Sequence, residues 1–172
     1  AVVLIYTSSE ATTDFATGDI TDTGCTDDSF TTTSTTIYGS TCTVAADGAA
    51  SISVAASTFT DATGNANSVS NTYSWTQDDT KPTMTITSNT VSSGGTTATA
   101  AVVLIYTSNE ATTNFATGDI TDTGCTDDSF TTESTTVYGS TCTVAADGAA
   151  SIVVAAGTFS DATGNTNTVS NT

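Results

Sequence analysis

The stretch TTVYGSTCTVAADGAASIVVAAGTF, residues 135–159, contains two apolar segments separated by the turn sequence Ala-Asp-Gly at 146–148. Val, Ile, Tyr and Thr are frequent in both segments, and these residues favour the pleated, half-buried surface of a β-sheet. Asp and Gly adopt the backbone conformations that tight turns require. The stretch therefore predicts a strand at 135–146, a turn, and a second strand at 149–159.

The alternation of apolar segments and turn residues continues on both sides of this stretch. Upstream, TTATAAVVLIYT at 96–107 holds a continuous apolar run, which is typical of a central, covered strand. Further strands are predicted at 83–87, near 118–123 and at 69–77, with a short edge strand in CTDDSFTTE at 125–133. About seven strands at this spacing indicate an all-β fold, an antiparallel β-sandwich.

The sequence repeats itself with a period of 100 residues. Residues 1–72 align with 101–172 without a gap and differ at positions 9, 14, 33, 37, 53, 57, 60, 66 and 68. A fixed period indicates a tandem array of structural units. We expect a unit at 1–79 that lacks its first strand, a linker at 80–82, and a unit at 83–172 that lacks most of its last strand. The chain is then either cut from a longer array or a subunit completed by its neighbours.

Several segments resemble the bacterial Ig-like repeat domains that occur in tandem in large secreted adhesins and surface proteins. The resemblance covers the whole repeat and is strongest in AAGTFSDATGNTNTVSNT at 155–172 and YSWTQDDTKPTMTIT at 73–87. It implies tandem seven-stranded antiparallel sandwiches, in arrays that extend, space or hold a terminal binding module. The cysteines depart from the family pattern, because family members commonly lack them.

The resemblance and the near-identity of the copies give two expectations for function. The first is a structural segment of an extracellular fibre, filament or surface stalk. Its partner would be the chain itself, in a continuous array or in a head-to-tail polymer formed by strand addition. The alternative is an adhesin repeat that binds cell-surface glycans or proteins. Nearly uniform copies favour the structural role, because a binding module would show a divergent loop in one copy.

Composition excludes several other classes of function. The formal net charge is −17, with Lys81 as the one basic residue and no His. Nucleic-acid binding needs Lys or Arg to replace phosphate counterions, so we expect no nucleic-acid partner. No stretch approaches the roughly 20 consecutive apolar residues of a membrane-spanning helix. Catalytic triads have no base here, and the adjacent pair Asp27-Asp28 points to opposite faces of a strand, so we expect no enzyme.

The four cysteines form one pair in each copy of the repeat. Cys25 and Cys42 are 17 residues apart, as are Cys125 and Cys142. Zinc sites usually contain cysteines at CxxC spacing or histidines, and this sequence has neither. Two disulfides are therefore predicted, and they indicate an oxidising, extracellular setting. Four buried free thiols remain the alternative.

Acidic and amide side chains predict a calcium site at the junction between two units. We expect successive strands of a unit to alternate in direction. The second and sixth strands then finish at the same end of the sandwich, and the segment that joins two repeats enters at that end. Calcium binds six to eight oxygen atoms of this kind. The alternative is that DATGN at 161–165 is a turn, in which Asp and Asn bond their own backbone. The predicted ligands are Asp78, Asp79, Glu110, Asp161 and Asn165.

The run TTTSTTIYGST at 31–41 predicts one kind of modification. The sequence holds no Asn-x-Ser/Thr acceptor, so N-glycosylation is not expected. O-linked glycans would suit such a run on a surface protein. Threonines that alternate on a solvent-facing strand are the alternative. The candidate acceptors are Thr31, Thr32, Thr33, Thr35 and Thr36.

Overall fold

The computed structural model describes all residues, 1–172, and divides the chain into two compact units, Ala1–Asp79 and Thr80–Thr172. Both units consist of antiparallel strands and one short 3-10 turn each, so the predicted all-β class is confirmed. The segment predicted as a linker, 80–82, falls within the second unit. There Pro82 is buried, and its carbonyl accepts a hydrogen bond from the amide of Thr168.

The first unit holds six strands in two three-stranded sheets. One sheet has the strand order β1-β4-β3 and the other the order β2-β5-β6. Every pairing is antiparallel, and a 3-10 turn at Thr17–Asp19 leads into β2. The strands are β1 (Val2–Thr7), β2 (Ile20–Thr23), β3 (Thr26–Thr32), β4 (Ile37–Thr43), β5 (Gly48–Val54) and β6 (Tyr73–Gln77).

The second unit also holds six strands, but they are distributed differently between its sheets. One sheet has four strands in the order β10-β11-β8-β7, and the other has two, β12 and β9. A 3-10 turn at Thr117–Asp119 leads into β9. The strands are β7 (Met84–Ser88), β8 (Ala101–Ser108), β9 (Ile120–Thr123), β10 (Thr126–Thr132), β11 (Val137–Thr143) and β12 (Ser151–Val154).

Strands occur at seven positions of the repeat, in agreement with the prediction, but each unit lacks the strand at one of these positions. The first unit has no strand equivalent to β7, and the second has none equivalent to β6. Because β6 pairs with β5 from Gly48 to Ile52, β5 is seven residues long. The equivalent β12 begins three residues later, since nothing pairs with residues 148–150.

Several predicted strand limits were wrong. The strand predicted at 96–107 begins at Ala101, and the one predicted at 149–159 ends at Val154. Its end is set by Gly157, whose φ of +76° turns the chain and whose amide donates to the carbonyl of Asn167. The strand predicted to be short at 125–133 is seven residues long, with a bulge between Asp128 and Thr131. Its Ser129 has a φ of +56°, as bulges often require.

A single aromatic side chain sits at the centre of each core. Phe115 of the second unit contacts four other rings with centroid distances of 4.9–5.7 Å. Phe15 has the equivalent position and an equivalent set of ring contacts in the first unit. Edge-to-face packing of this kind adds about 0.5–1.5 kcal/mol per pair beyond the burial of apolar area. The ring partners of Phe115 are Tyr106, Phe130, Tyr138 and Phe159.

The chain crosses from one sheet to the other just before each first cysteine. Gly24, between β2 and β3, has a φ of +72°, and a Cβ atom there would lie 2.1 Å from the carbonyl oxygen of Ala49. Gly124 has the same conformation and the same close approach to Ala149. Only glycine fits this crossing, which places Cys25 and Cys125 at the start of β3 and β10.

Candidate functional site

The candidate metal ligands of the second unit lie on two loops. Glu110 follows β8, and Asp161 opens the loop after β12 that closes again through a bridge between Ser160 and Thr166. Asp161 is buried, with 5 % of its surface exposed. One carboxylate oxygen of Glu110 lies within 4.8 Å of one of Asp161. Two of the predicted acidic ligands are therefore brought together inside this unit.

The loop itself holds the Asp161 side chain in place. Its Oδ1 atom accepts hydrogen bonds from the amides of Thr163, Gly164 and Asn165 and from the Thr163 hydroxyl, at 2.7–2.9 Å. Its Oδ2 atom accepts one from the side-chain Nδ2 of Asn165, at 2.9 Å. The turn that the sequence offered as an alternative to a metal site is thus present. Because Oδ1 already accepts four hydrogen bonds, Oδ2 is the Asp161 oxygen better placed to bind a cation.

These hydrogen bonds determine the protonation state of the carboxyl group. Burial raises the pKa of Asp161, but hydrogen bonds from Asn165, Thr163 and Gly164 outweigh burial and hold that pKa at about 2. In the first unit, the amide and side chain of Asn65 and the donors of Thr63 lower the pKa of Asp61 as well. Asp161 is therefore ionised at neutral pH and faces a second carboxylate, that of Glu110.

The remaining predicted ligands, Asp78 and Asp79, end the first unit. The amide of Asp79 donates to the Asp47 carboxylate at 2.6 Å, and Gln77 donates to the Asp79 carboxylate at 2.9 Å. Asp78 precedes the buried Pro82 by four residues, a stretch of chain that spans at most about 14 Å. Both aspartates therefore directly precede the second unit in the chain, which begins at Thr80.

Both predicted disulfides are formed. Cys25 bonds to Cys42 and Cys125 to Cys142, each with a Cα–Cα distance of 5.7 Å, and no free cysteine remains. The topology makes this possible because β3 pairs with β4, with Asp27 opposite Cys42. Cys42 and Cys142 are both buried, so each disulfide lies on the core side of its sheet.

Each unit contains two antiparallel sheets, a core disulfide and a buried central ring. The model of the bacterial Ig-like domain family matches residues 2–76 and again residues 78–172. The chain belongs to this family. Searches among curated proteins and among solved structures returned no match.

Membership of the bacterial Ig-like family narrows the setting of the chain. Proteins with such repeats are surface or extracellular repeat proteins, and the two disulfides agree with that location. Helices of membrane-spanning length and hydropathy are not found. The family is typically non-enzymatic.

A buried polar network lies beside each disulfide of this Ig-like chain, and the sequence pattern did not reveal it. The hydroxyls of Tyr106 and Ser140 are 2.9 Å apart, and Ser140 donates to Oδ1 of Asp127 at 2.6 Å. Burial raises the pKa of Asp127 and raises that of Tyr106 to about 12. The network connects β8, β11 and β10, the strands that carry Tyr106, Ser140 and Asp127. Tyr6, Ser40 and Asp27 repeat it in the first unit.

The five threonines predicted to carry O-glycans lie at the end of β3 and in the turn that follows it. Four of the five candidate acceptors are exposed, whereas Thr36 is half-buried. The hydroxyl of Thr31 donates to the carbonyl of Gly39 at 3.3 Å. The exposed candidates are Thr31, Thr32, Thr33 and Thr35.

Proposed function

We propose that this chain is a structural segment of an extracellular fibre or surface stalk built from tandem Ig-like units. The observation that carries the proposal is the near-identity of the two copies, at a fixed period, in chain and in fold. Equal units suit a spacer, because each adds the same length and the same surface. A binding module would need at least one distinct loop, and the nine differing positions are scattered over several strands and loops.

Electron microscopy of the native material tests this function. A long beaded filament with an axial repeat of roughly 35–45 Å, the length of one such sandwich from strand geometry, would support the proposal. Denaturing electrophoresis would then separate one long chain from many short ones. Short discrete particles, or stalks that end in a distinct head, would overturn it in favour of an adhesin repeat.

Calcium is proposed as the stiffening element between successive units. The support is the pair Glu110 and Asp161, two carboxylates within 4.8 Å in a chain of net charge −17. Like charges this close repel each other, and a divalent cation on their oxygens relieves the repulsion. Asp78 and Asp79 are the proposed further ligands, and waters or carbonyls would complete the six to eight oxygens that calcium requires.

O-glycans on the exposed threonines of β3 are proposed as a surface modification of such a fibre. The support is the exposure of Thr32 and Thr33, beside a turn. Intact-mass spectrometry of material from the native source tests this directly. Added hexose or hexosamine masses that disappear after β-elimination are expected, and an unmodified mass would contradict the proposal.

A further inference from the structure

Two strands with the same sequence have different neighbours in the two units. Residues 1–8 and 101–108 both read AVVLIYTS. In the second unit, β8 lies between β11 and β7 and pairs with both. In the first unit, β1 pairs with β4 and forms the edge of its sheet. An apolar edge strand of this length readily pairs with another strand.

The second unit shows what a strand at this edge contributes. In β7, Met84 lies opposite Ser108, Ile86 opposite Tyr106, and Ser88 opposite Leu104. Met84 is 3 % exposed and belongs to one continuous core of nine buried residues, with Ile86 packed against it. The β7 strand is therefore an integral part of that core.

The first unit has the same core positions, but they are divided and partly uncovered. Six of its buried hydrophobic residues form two separate clusters of three. Tyr6 and Phe59 are half-buried, whereas their counterparts Tyr106 and Phe159 are at most 1 % exposed. A groove of about 750 Å³ runs along β1, and its lining includes Leu4, Tyr6 and Phe59. Its position corresponds to that of β7 in the second unit.

A polar side chain that holds β7 is also repeated beside this groove. In the second unit, Asn171 donates through Nδ2 to the Ile86 carbonyl at 2.9 Å and accepts from the Ile86 amide at 2.7 Å. The first unit has Asn71 at the equivalent position, and Asn71 lines the groove. Ser70, whose counterpart Ser170 is buried, lines it too.

We propose that the outer edge of β1 binds, as an antiparallel strand, the Thr83–Ser88 segment of a further copy of this repeat. In that register the methionine lies opposite Ser8, the isoleucine opposite Tyr6, and Asn71 brackets the isoleucine backbone. The inference deepens the proposed fibre function, on which it rests, by naming the contact that joins one repeat to the next.

A copy of the repeat is the occupant that the structure favours. The groove is lined by the same residue types that enclose β7, so its shape and hydrogen-bonding groups are already matched to that sequence. The segment TMTITS carries no charge, so it enters a chain of net charge −17 without repulsion. One contact is not repeated: Asn109 accepts from the Thr83 amide at 2.6 Å, whereas the first unit has Ser9 there.

A labelled peptide tests the contact on the full chain, 1–172. The peptide has the sequence of residues 80–91, TKPTMTITSNTV, and its binding is followed by fluorescence anisotropy. We expect saturable binding of one peptide per chain. A control peptide with aspartate in place of the methionine and the isoleucine should bind about a hundredfold more weakly, since burial of each side chain contributes at least a factor of ten. Equal binding of the two peptides would overturn the proposal.

Two matched variants establish where the peptide binds. Asn71→Ala should weaken peptide binding, and Asn171→Ala should leave it unchanged. The opposite pattern would mean that the peptide exchanges with β7 of the second unit, and it would overturn the assignment to β1.

A chain extended at its amino end completes the test. It carries a second copy of residues 73–100 ahead of Ala1, so that the added TMTITS is covalently placed before β1. We expect this chain to lose peptide binding and to protect Val2–Thr7 from hydrogen exchange. The same extension with Met→Asp and Ile→Asp in the added copy should bind peptide as before. Unchanged peptide binding by both extended chains would refute the contact, whereas the fibre function fails separately, on the absence of filaments.

Discussion

Asn171 holds Ile86 through two hydrogen bonds, one to the carbonyl and one from the amide of the same residue. The side-chain amide thereby satisfies both backbone groups of Ile86 on one side, as a neighbouring strand would. Residue 171 lies 85 positions from Ile86 in sequence, so this contact fastens the start of the second unit to its end. The first unit has the same asparagine, Asn71, beside the groove along β1.

Replacing Asn171 by alanine is expected to destabilise the second unit. Loss of the two hydrogen bonds should lower the free energy of unfolding by about 1–2 kcal/mol, because each contributes roughly 0.5–1.5 kcal/mol. Hydrogen exchange should accelerate in Met84–Ser88 before other strands are affected. Asn71→Ala is the matched control, and its unfolding free energy should differ little from that of the unaltered chain. Equal losses in both variants would show that the asparagine supports its own loop instead.

Met84→Ala is expected to have a larger effect than any other substitution in β7. Met84 is buried in the core of the second unit, and truncation of a buried methionine costs about 2–5 kcal/mol. Thr85→Ala, at an exposed position of the same strand, should change stability by less than about 0.5 kcal/mol. Urea unfolding measures both. Similar midpoints for the two variants would mean that β7 is only loosely attached.

Reduction of the disulfides should destabilise both units by similar amounts. Each disulfide closes a loop with a sequence separation of 17, for which the loss of chain entropy predicts about 3 kcal/mol. Chains with Cys25 and Cys42, or Cys125 and Cys142, both replaced by serine separate the two contributions. Thermal unfolding with and without reductant measures them. Labelling of four cysteines by iodoacetamide without prior reduction would contradict the disulfides themselves.

Asp14 provides a test of pH dependence in which the sequence supplies its own control. The amide and the hydroxyl of Thr60 donate to its carboxylate at 2.9–3.1 Å and lower its pKa below the usual 3.8. Because the pKa of Asp14 is lower in the folded state, these hydrogen bonds stabilise the folded state above about pH 4. This stabilisation is lost as the pH falls through the pKa of the folded state. Carbon NMR titration of the carboxyl measures this pKa.

The control for Asp14 removes the hydroxyl donor alone. Thr60→Val should move the pKa of Asp14 back toward its usual value, while Thr60→Ser, the residue found at 160, should leave it low. Asp14→Asn reproduces position 114 of the second unit, where Asn114 accepts from the Ser160 amide at 2.8 Å. That variant should fold normally and lose this part of the acid sensitivity. An unshifted pKa for Asp14 would contradict the assignment.

The proposed calcium site predicts that calcium affinity depends on the carboxylates of Glu110 and Asp161. Isothermal titration of calcium into the chelator-treated chain should show a site that Glu110→Gln weakens at least about tenfold, since one of its charged ligands is lost. Glu133→Gln removes the same charge from an exposed turn and is expected to leave calcium affinity unchanged. If chelator alters neither the melting temperature nor the heat of titration, the proposal is wrong. Asp161 then only closes its turn, and no calcium binds beside Glu110.

The sequence predicted the kinds of strand and the cysteine pairs because both depend on local pattern and spacing. The segment Val102–Tyr106 is recognised as a strand from its own apolar residues, whatever its neighbours. The 17-residue spacing places Cys25 and Cys42 on strands that are adjacent in the chain. Strand limits were less accurate, since they depend on partners: β12 is shorter than β5 although the two sequences differ at one position, Val153 for Ser53.

Long-range side-chain contacts were beyond reach of the pattern. Asn171 follows serine and precedes threonine, a context typical of a turn, and nothing local shows that it brackets Ile86. The network of Tyr106, Ser140 and Asp127 has a weak signal, because three polar residues fall on the core side of adjacent strands. The sequence DATGN suits its turn with or without a cation, so the pattern alone does not distinguish a turn from a metal site.

The disulfides determine how far a repeat can lengthen under tension. Cys25–Cys42 encloses β3 and most of β4 but leaves β1, β2, β5 and β6 outside the covalent loop. A pulling force applied through the chain ends would therefore unravel the outer strands and stop at the cystine. The enclosed residues, with a separation of 17, withhold about 60 Å of contour length from each unfolding event. A reductant restores that length, so the redox state of the cysteines sets how far each repeat can extend.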